Sequence, residues 1–162
     1  MKNLIIVALL LSITQLGFSQ NKVTNSQTKV AYAYLQLKDQ LIVSDSIAAK
    51  SSGAELSKLL KGFSVKNKFA DSLAKLNSNK ARVIQNALAL SKTGNINLQR
   101  KYFEIVSNEI WPLLNHETKG STLYLQQCPM TGVKWLSLSE EIKNPYYPKN
   151  MLGCGTVIAT SN

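Results

Sequence analysis

The chain has 162 residues, 44% of them hydrophobic, with 19 Lys and Arg against nine Asp and Glu, for a formal net charge of +10. That length suits one domain with one core. The basic excess is almost all lysine spread along the whole chain, with only Arg82 and Arg100 as arginines. Without an arginine-rich stretch or interleaved aromatics, the charge argues against nucleic-acid binding. A solvated lysine surface is the preferred reading over attraction to anionic lipid or an acidic partner.

The first 19 residues read as a secretory signal peptide. Lys2 is the positive start, Leu4 to Ile13 an apolar stretch, and Gly17-Phe18-Ser19 a small-residue cleavage site. The apolar stretch is shorter than the roughly 20 residues a membrane-spanning helix needs, so a retained anchor is disfavoured. Cleavage leaves 143 residues and a formal charge of +9, expected in a bacterial periplasm with no membrane span. Residues 20–28 are polar and read as a flexible tail ahead of a single domain over 29–162.

From Lys29 to about Asn115 the pattern is helical. Val30, Tyr34, Leu37 and Leu41 recur every three or four residues, marking one buried face. Ser44 or Asp45 can cap a second helix that stops near Gly62. Gly53 inside it is either a weakness or a place of close helix approach. Residues 63–78 are ambiguous. A third helix is expected from Asn79 or Lys80 to Ser91, and a fourth opens at Asn95 or Asn97 and ends or kinks before Pro112. Short connections between four helices predict a mainly α fold, an antiparallel up-and-down four-helix bundle. After Gly120, residues 121–127 alternate as a strand does and 134–138 and 156–160 are further strand candidates, giving a small β- and turn-rich C-terminal segment (121–160).

Sulfur is unevenly placed. Once residues 1–19 are removed, the remaining sulfur lies in Cys128-Pro129-Met130 and Met151-Leu152-Gly153-Cys154. Each thiol has a thioether within three residues, and thiolate with thioether favours Cu(I) and similar soft ions. Pro129 stiffens the first pair, and the three-residue spacing of the second lets one turn present both sulfurs. The candidate metal ligands are therefore Cys128, Met130, Met151 and Cys154, with Cu(I) or Ag(I) as the candidate ion. His116 is a possible further ligand, although a histidine near a helix end more often meets the last carbonyls.

An exported chain with two cysteines also admits a Cys128–Cys154 disulfide. It would close a 27-residue loop, worth roughly 3–4 kcal/mol by loop-closure entropy. Met130 and Met151 would then fill gaps in the packing. In that case Trp135, Tyr146 and Tyr147 become candidate exposed anchors of a protein-interaction module; otherwise they fill the core. A lone histidine supports a structural zinc site poorly. No nucleophile–base motif or phosphate-cradling loop is present, so no enzyme activity is expected.

Taken together, Cys128-Pro129-Met130, Trp135-Leu136-Ser137, Asn144-Pro145-Tyr146-Tyr147 and Met151-Leu152-Gly153-Cys154-Gly155 resemble a known signature. It is that of a periplasmic domain of unknown function, found alone or appended to adaptor proteins of heavy-metal efflux pumps. Tyr34 to Asp39 and Arg100 to Phe103 resemble its first and fourth helices. The resemblance covers roughly residues 30–157. It implies a copper or heavy-metal setting and an efflux adaptor or other envelope protein as partner. Pro148 departs from the glycine often found after the tyrosine pair. The hairpin, lipoyl and barrel segments of a complete adaptor are not present in this sequence.

Overall fold

The computed structural model describes residues 26–66, 69–115 and 121–161. Four helices come first: α1 Ser26–Ile42, α2 Ser46–Lys61, α3 Ala70–Ser91 and α4 Ile96–Leu114. Three strands follow: β1 Tyr124–Gln127, β2 Lys134–Ser137 and β3 Thr156–Thr160. Consecutive helices pack on one another as an up-and-down antiparallel bundle. The predicted fold class holds: mainly α, with a small antiparallel C-terminal sheet. Residues 1–19 and His116 lie outside the described residues. Among the described residues, no helix is long and apolar enough to cross a membrane.

Local chemistry explains the starts of two helices. The Asp45 carboxylate caps α2 by accepting from the amides of Ile47 (3.1 Å) and Ala48 (2.9 Å). Asn95 caps α4 in the same way through Asn97 and Leu98. Gly53 is the point of close approach of α2 to α3. A Cβ there would lie 2.8 Å from Leu90 Cδ2 and 3.0 Å from the Ala87 carbonyl oxygen.

β1 begins three residues later than the expected 121–127 and β2 ends one residue before 138, and three helix bounds also differ from expectation. α1 begins at Ser26, three residues before Lys29. α3 begins at Ala70, some ten residues ahead of the expected start, so the ambiguous stretch is mostly helix. Its N-cap, Phe69, makes no side-chain capping bond, and no polar start signal marks the boundary. α4 runs through Pro112 to Leu114 rather than stopping at Trp111. Proline forfeits one helical bond, and here Leu113 and Leu114 are buried, so apolar burial in the last turn outweighs that loss.

The sheet has strand order β2-β1-β3, all antiparallel. β1 pairs in regular register with β2, Tyr124 opposite Ser137 and Gln127 opposite Lys134. Its pairing with β3 is interrupted by an irregularity between Leu125 and Gln126. Neighbouring strand residues face opposite ways, and both Trp135 and Leu136 are fully buried. β2 is therefore covered on both faces.

A hydroxyl cluster joins sheet to bundle. Tyr34 Oη in α1 lies 2.7 Å from Ser107 Oγ in α4 and accepts from the Leu136 amide in β2. Tyr146 Oη donates to the Lys134 carbonyl at 2.6 Å and lies 3.2 Å from the same Ser107 oxygen. Phe103 stacks on Tyr34 and tilts against Tyr146, and Tyr146 meets Trp135 edge-on. Each buried hydroxyl is thus partnered, as burial of a polar group requires.

Candidate functional site

The two sulfur clusters occupy two turns at the same end of the sheet. The first links β1 to β2. The Cys128 amide donates to the Val133 carbonyl at 3.0 Å, and the Gly132 amide donates to the Cys128 carbonyl at 2.8 Å. Gly132 has φ +76°, a left-handed angle that glycine adopts at little cost. The turn leaves Pro129, Met130 and Thr131 at its exposed tip and places Cys128 in the core.

The second turn closes the long loop between β2 and β3. Asn144, fully buried, holds its two ends together. Its amide donates to the Leu152 carbonyl at 2.8 Å, and its side-chain nitrogen donates to the Cys154 carbonyl at 3.3 Å. Its side-chain oxygen accepts from the amides of Tyr146 and Tyr147. Within the loop, the Met151 amide donates to the Tyr147 carbonyl and the Cys154 amide to the Met151 carbonyl. Arg100 Nε on α4 donates to the Pro145 carbonyl at 2.8 Å, fixing the loop to the bundle. Gly155 lies against the Trp135 ring, where a Cβ would come within 2.8 Å of Trp135 Cη2 and of Ile142 Cγ2.

These two scaffolds bring Cys128 and Cys154 near enough for each thiol to affect the other's ionisation, both as free thiols. The contact is asymmetric. Burial opposes ionisation of Cys128. Hydrogen bonds from the Cys154 thiol, the Thr131 side chain and the Thr131 and Met130 amides outweigh it and bring Cys128 below its ordinary pKa. The bond to Cys128 keeps the Cys154 proton in place and, with burial, raises its pKa despite an opposing bond from the Met130 amide. Between them the two sulfurs hold one proton more tightly than the other, so they titrate as a pair.

The methionines are placed differently. Met130 brings its main chain to both sulfurs, while the residue as a whole is 77% exposed. Met151 is half-buried and begins the turn that ends at Cys154. No group of three or more His, Cys, Asp or Glu capable of holding a metal occurs among the described residues. The two thiols are therefore the groups here that could become charged ligands.

Of the aromatic residues named as possible surface anchors, Trp135 and Tyr146 are buried and serve the core, whereas Tyr147 is exposed. Two residues that sequence reasoning missed do the positioning. Asn144 stands in the sequence only as part of the Asn144-Pro145-Tyr146-Tyr147 signature, with no role attached to it, and Thr131 carries no motif. A polar residue that will be buried has no periodic signature, so the pattern along the chain does not reveal either.

The family model for DUF3347, a protein of unknown function, matches residues 30–122. The chain belongs to this family. The matched stretch runs from the first turns of α1 to just before β1, so it takes in the bundle and stops short of both sulfur turns. In this member of DUF3347, then, the thiol pair is carried by the C-terminal segment that follows the matched residues. No curated protein and no solved structure matches the chain.

Proposed function

We propose that this protein is a periplasmic soft-metal-binding protein that captures Cu(I) or Ag(I) between Cys128 and Cys154 and works beside heavy-metal efflux. The observation that carries the reading is the contact between the two thiols across turns 26 residues apart. Two thiolates, with Met130 and Met151 as thioether donors, suit a low-coordinate monovalent ion. Zinc asks for about four N or S ligands, more than the charged ligands at hand. Capture displaces the thiol protons, so affinity falls as pH falls. Transfer onward would proceed by exchange of one sulfur ligand at a time.

Anaerobic Cu(I) titration of the reduced mature protein against a competing chelator tests the reading, with Cys128→Ser and Cys154→Ser as controls. Stoichiometric uptake lost in both variants supports it. Uptake that survives removal of either thiol, or no uptake by the reduced protein, overturns it. The same contact supports a second reading, a disulfide-stapled interaction module docking on an efflux adaptor or other envelope protein, with exposed Tyr147 beside it as an anchor. Thiol titration of protein isolated from periplasm separates them: a complete disulfide with no metal uptake on reduction favours the module.

A further inference from the structure

Cys128 and Cys154 are neighbours at one end of the sheet, yet they differ in access. Cys128 is fully buried beneath its own turn, whereas Cys154 is partly open. Each turn is also tied independently of sulfur. The Cys128 turn is closed by bonds to Val133 and Gly132, and the Cys154 turn by bonds to Met151 and Asn144. Neither turn needs the other's sulfur to keep its shape, so a covalent link can form and break without refolding.

We propose that the two cysteines form an ordered thiol–disulfide couple, in which Cys154 admits a low-molecular-mass disulfide, Cys128 closes the bond, and closure shuts off metal capture. In the first step Cys154 loses its proton to solvent, and its thiolate attacks one sulfur of the reagent. A mixed disulfide forms at Cys154 and one reagent thiolate leaves. In the second step Cys128 gives up its proton to that thiolate and attacks the Cys154 sulfur, expelling the other half of the reagent. The two cysteines lose two electrons in total, and the reagent's sulfur–sulfur bond gains them. Attack must occur along the sulfur–sulfur axis, and Cys128 is fully buried. The order is thus set by the fold. The part concerning capture rests on the proposed metal reading, because an oxidised pair has no thiolate to offer.

The test incubates reduced, metal-free mature protein with oxidised glutathione and follows intact mass. Wild type is expected to end as the internal disulfide, two hydrogens lighter. Cys128→Ser should accumulate a single glutathione adduct at Cys154, while Cys154→Ser stays unmodified over the same period. Because Cys128 is buried, its variant is first checked for a native circular dichroism spectrum. Limited alkylation of wild type with peptide mapping gives the same order independently, with Cys154 labelled first. Equal labelling, Cys128 labelled first, or wild type halting at the mixed disulfide overturns the ordered couple. For the gate, oxidised protein should take up no Cu(I) and regain uptake on reduction. Unchanged uptake by oxidised protein overturns the gate alone. Absence of uptake by reduced protein overturns the metal reading and the gate, and the adduct pattern still decides the order.

Discussion

Replacing Gly53 with alanine sets two known effects against each other. In a helix interior, alanine is favoured over glycine by about 0.8–1.0 kcal/mol. Against this stands the contact with α3. The new Cβ would sit 2.8 Å from Leu90 Cδ2 and 3.0 Å from the Ala87 carbonyl oxygen. The leucine methyl ends a flexible side chain, but Leu90 is fully buried, so turning it away disturbs packed neighbours. The carbonyl belongs to the α3 main chain and moves only if the helix moves. Inserting a methyl into such a contact costs about 1–3 kcal/mol. The expected net effect is a destabilisation of about 1 kcal/mol, opposite in sign to the gain at an open site. Urea unfolding followed by far-ultraviolet circular dichroism measures it, with an unchanged m-value showing that the fold is retained. Gly94→Ala is the control, because Gly94 has nothing within 4 Å and no positive φ. It should be stabilised by about 0.5 kcal/mol through the unfolded chain. If Gly53→Ala gains as much as Gly94→Ala, the two helices do not approach as described.

At the thiol end, Gly155→Ala forces a methyl against the buried Trp135 ring and should cost about 2–3 kcal/mol while weakening Cu(I) binding. Gly153→Ala, with open space around it, should leave binding unchanged in the same titration. Asn144→Ala strips partners from the amides of Tyr146 and Tyr147 and from the Cys154 carbonyl; a loss on the order of 2–4 kcal/mol is expected in urea unfolding. Burial raises the pKa of both Tyr34 and Tyr146. Their contribution to stability is fully present below the unfolded tyrosine value near 10 and is lost as pH rises towards the folded values. Each should take away about 1.4 kcal/mol per pH unit above that point, and Tyr146→Phe should flatten the slope of stability against pH. Met130→Leu should change stability by less than about 0.5 kcal/mol at this exposed place yet lower Cu(I) affinity; unaltered affinity would mean that the Met130 thioether is not a ligand.

Much of the architecture could be read from residue spacing. The four helical stripes, the polar residues that start α2 and α4, and the full extent of β3 all follow from local chemistry. The start of α3 did not, because Phe69 offers no polar cap and Leu73 and Leu76 are too sparse to mark a stripe. Pro112 misled for a different reason: a local rule about proline was overridden by burial of Leu113 and Leu114, which depends on the rest of the fold. At the site, the clustering of sulfur pointed to both turns, and the structure brings the two thiols together. The Met130 main chain joins them, which no rule about side-chain type anticipates. The clamp by Asn144 and the Tyr34–Ser107–Tyr146 cluster depend on partners far apart in sequence, and periodicity is blind to such pairs.

The strand order has a temporal meaning as well as a spatial one. β1, the middle strand, is made before both of its neighbours, and β3 is made after β2. Until Thr156–Thr160 is present, one side of β1 lacks its partner strand, and Cys128 waits without the cysteine it will meet. A product ending before Cys154 would still contain the residues of all four helices and would lack the thiol pair, so the chemistry of those sulfurs waits for synthesis to pass that point.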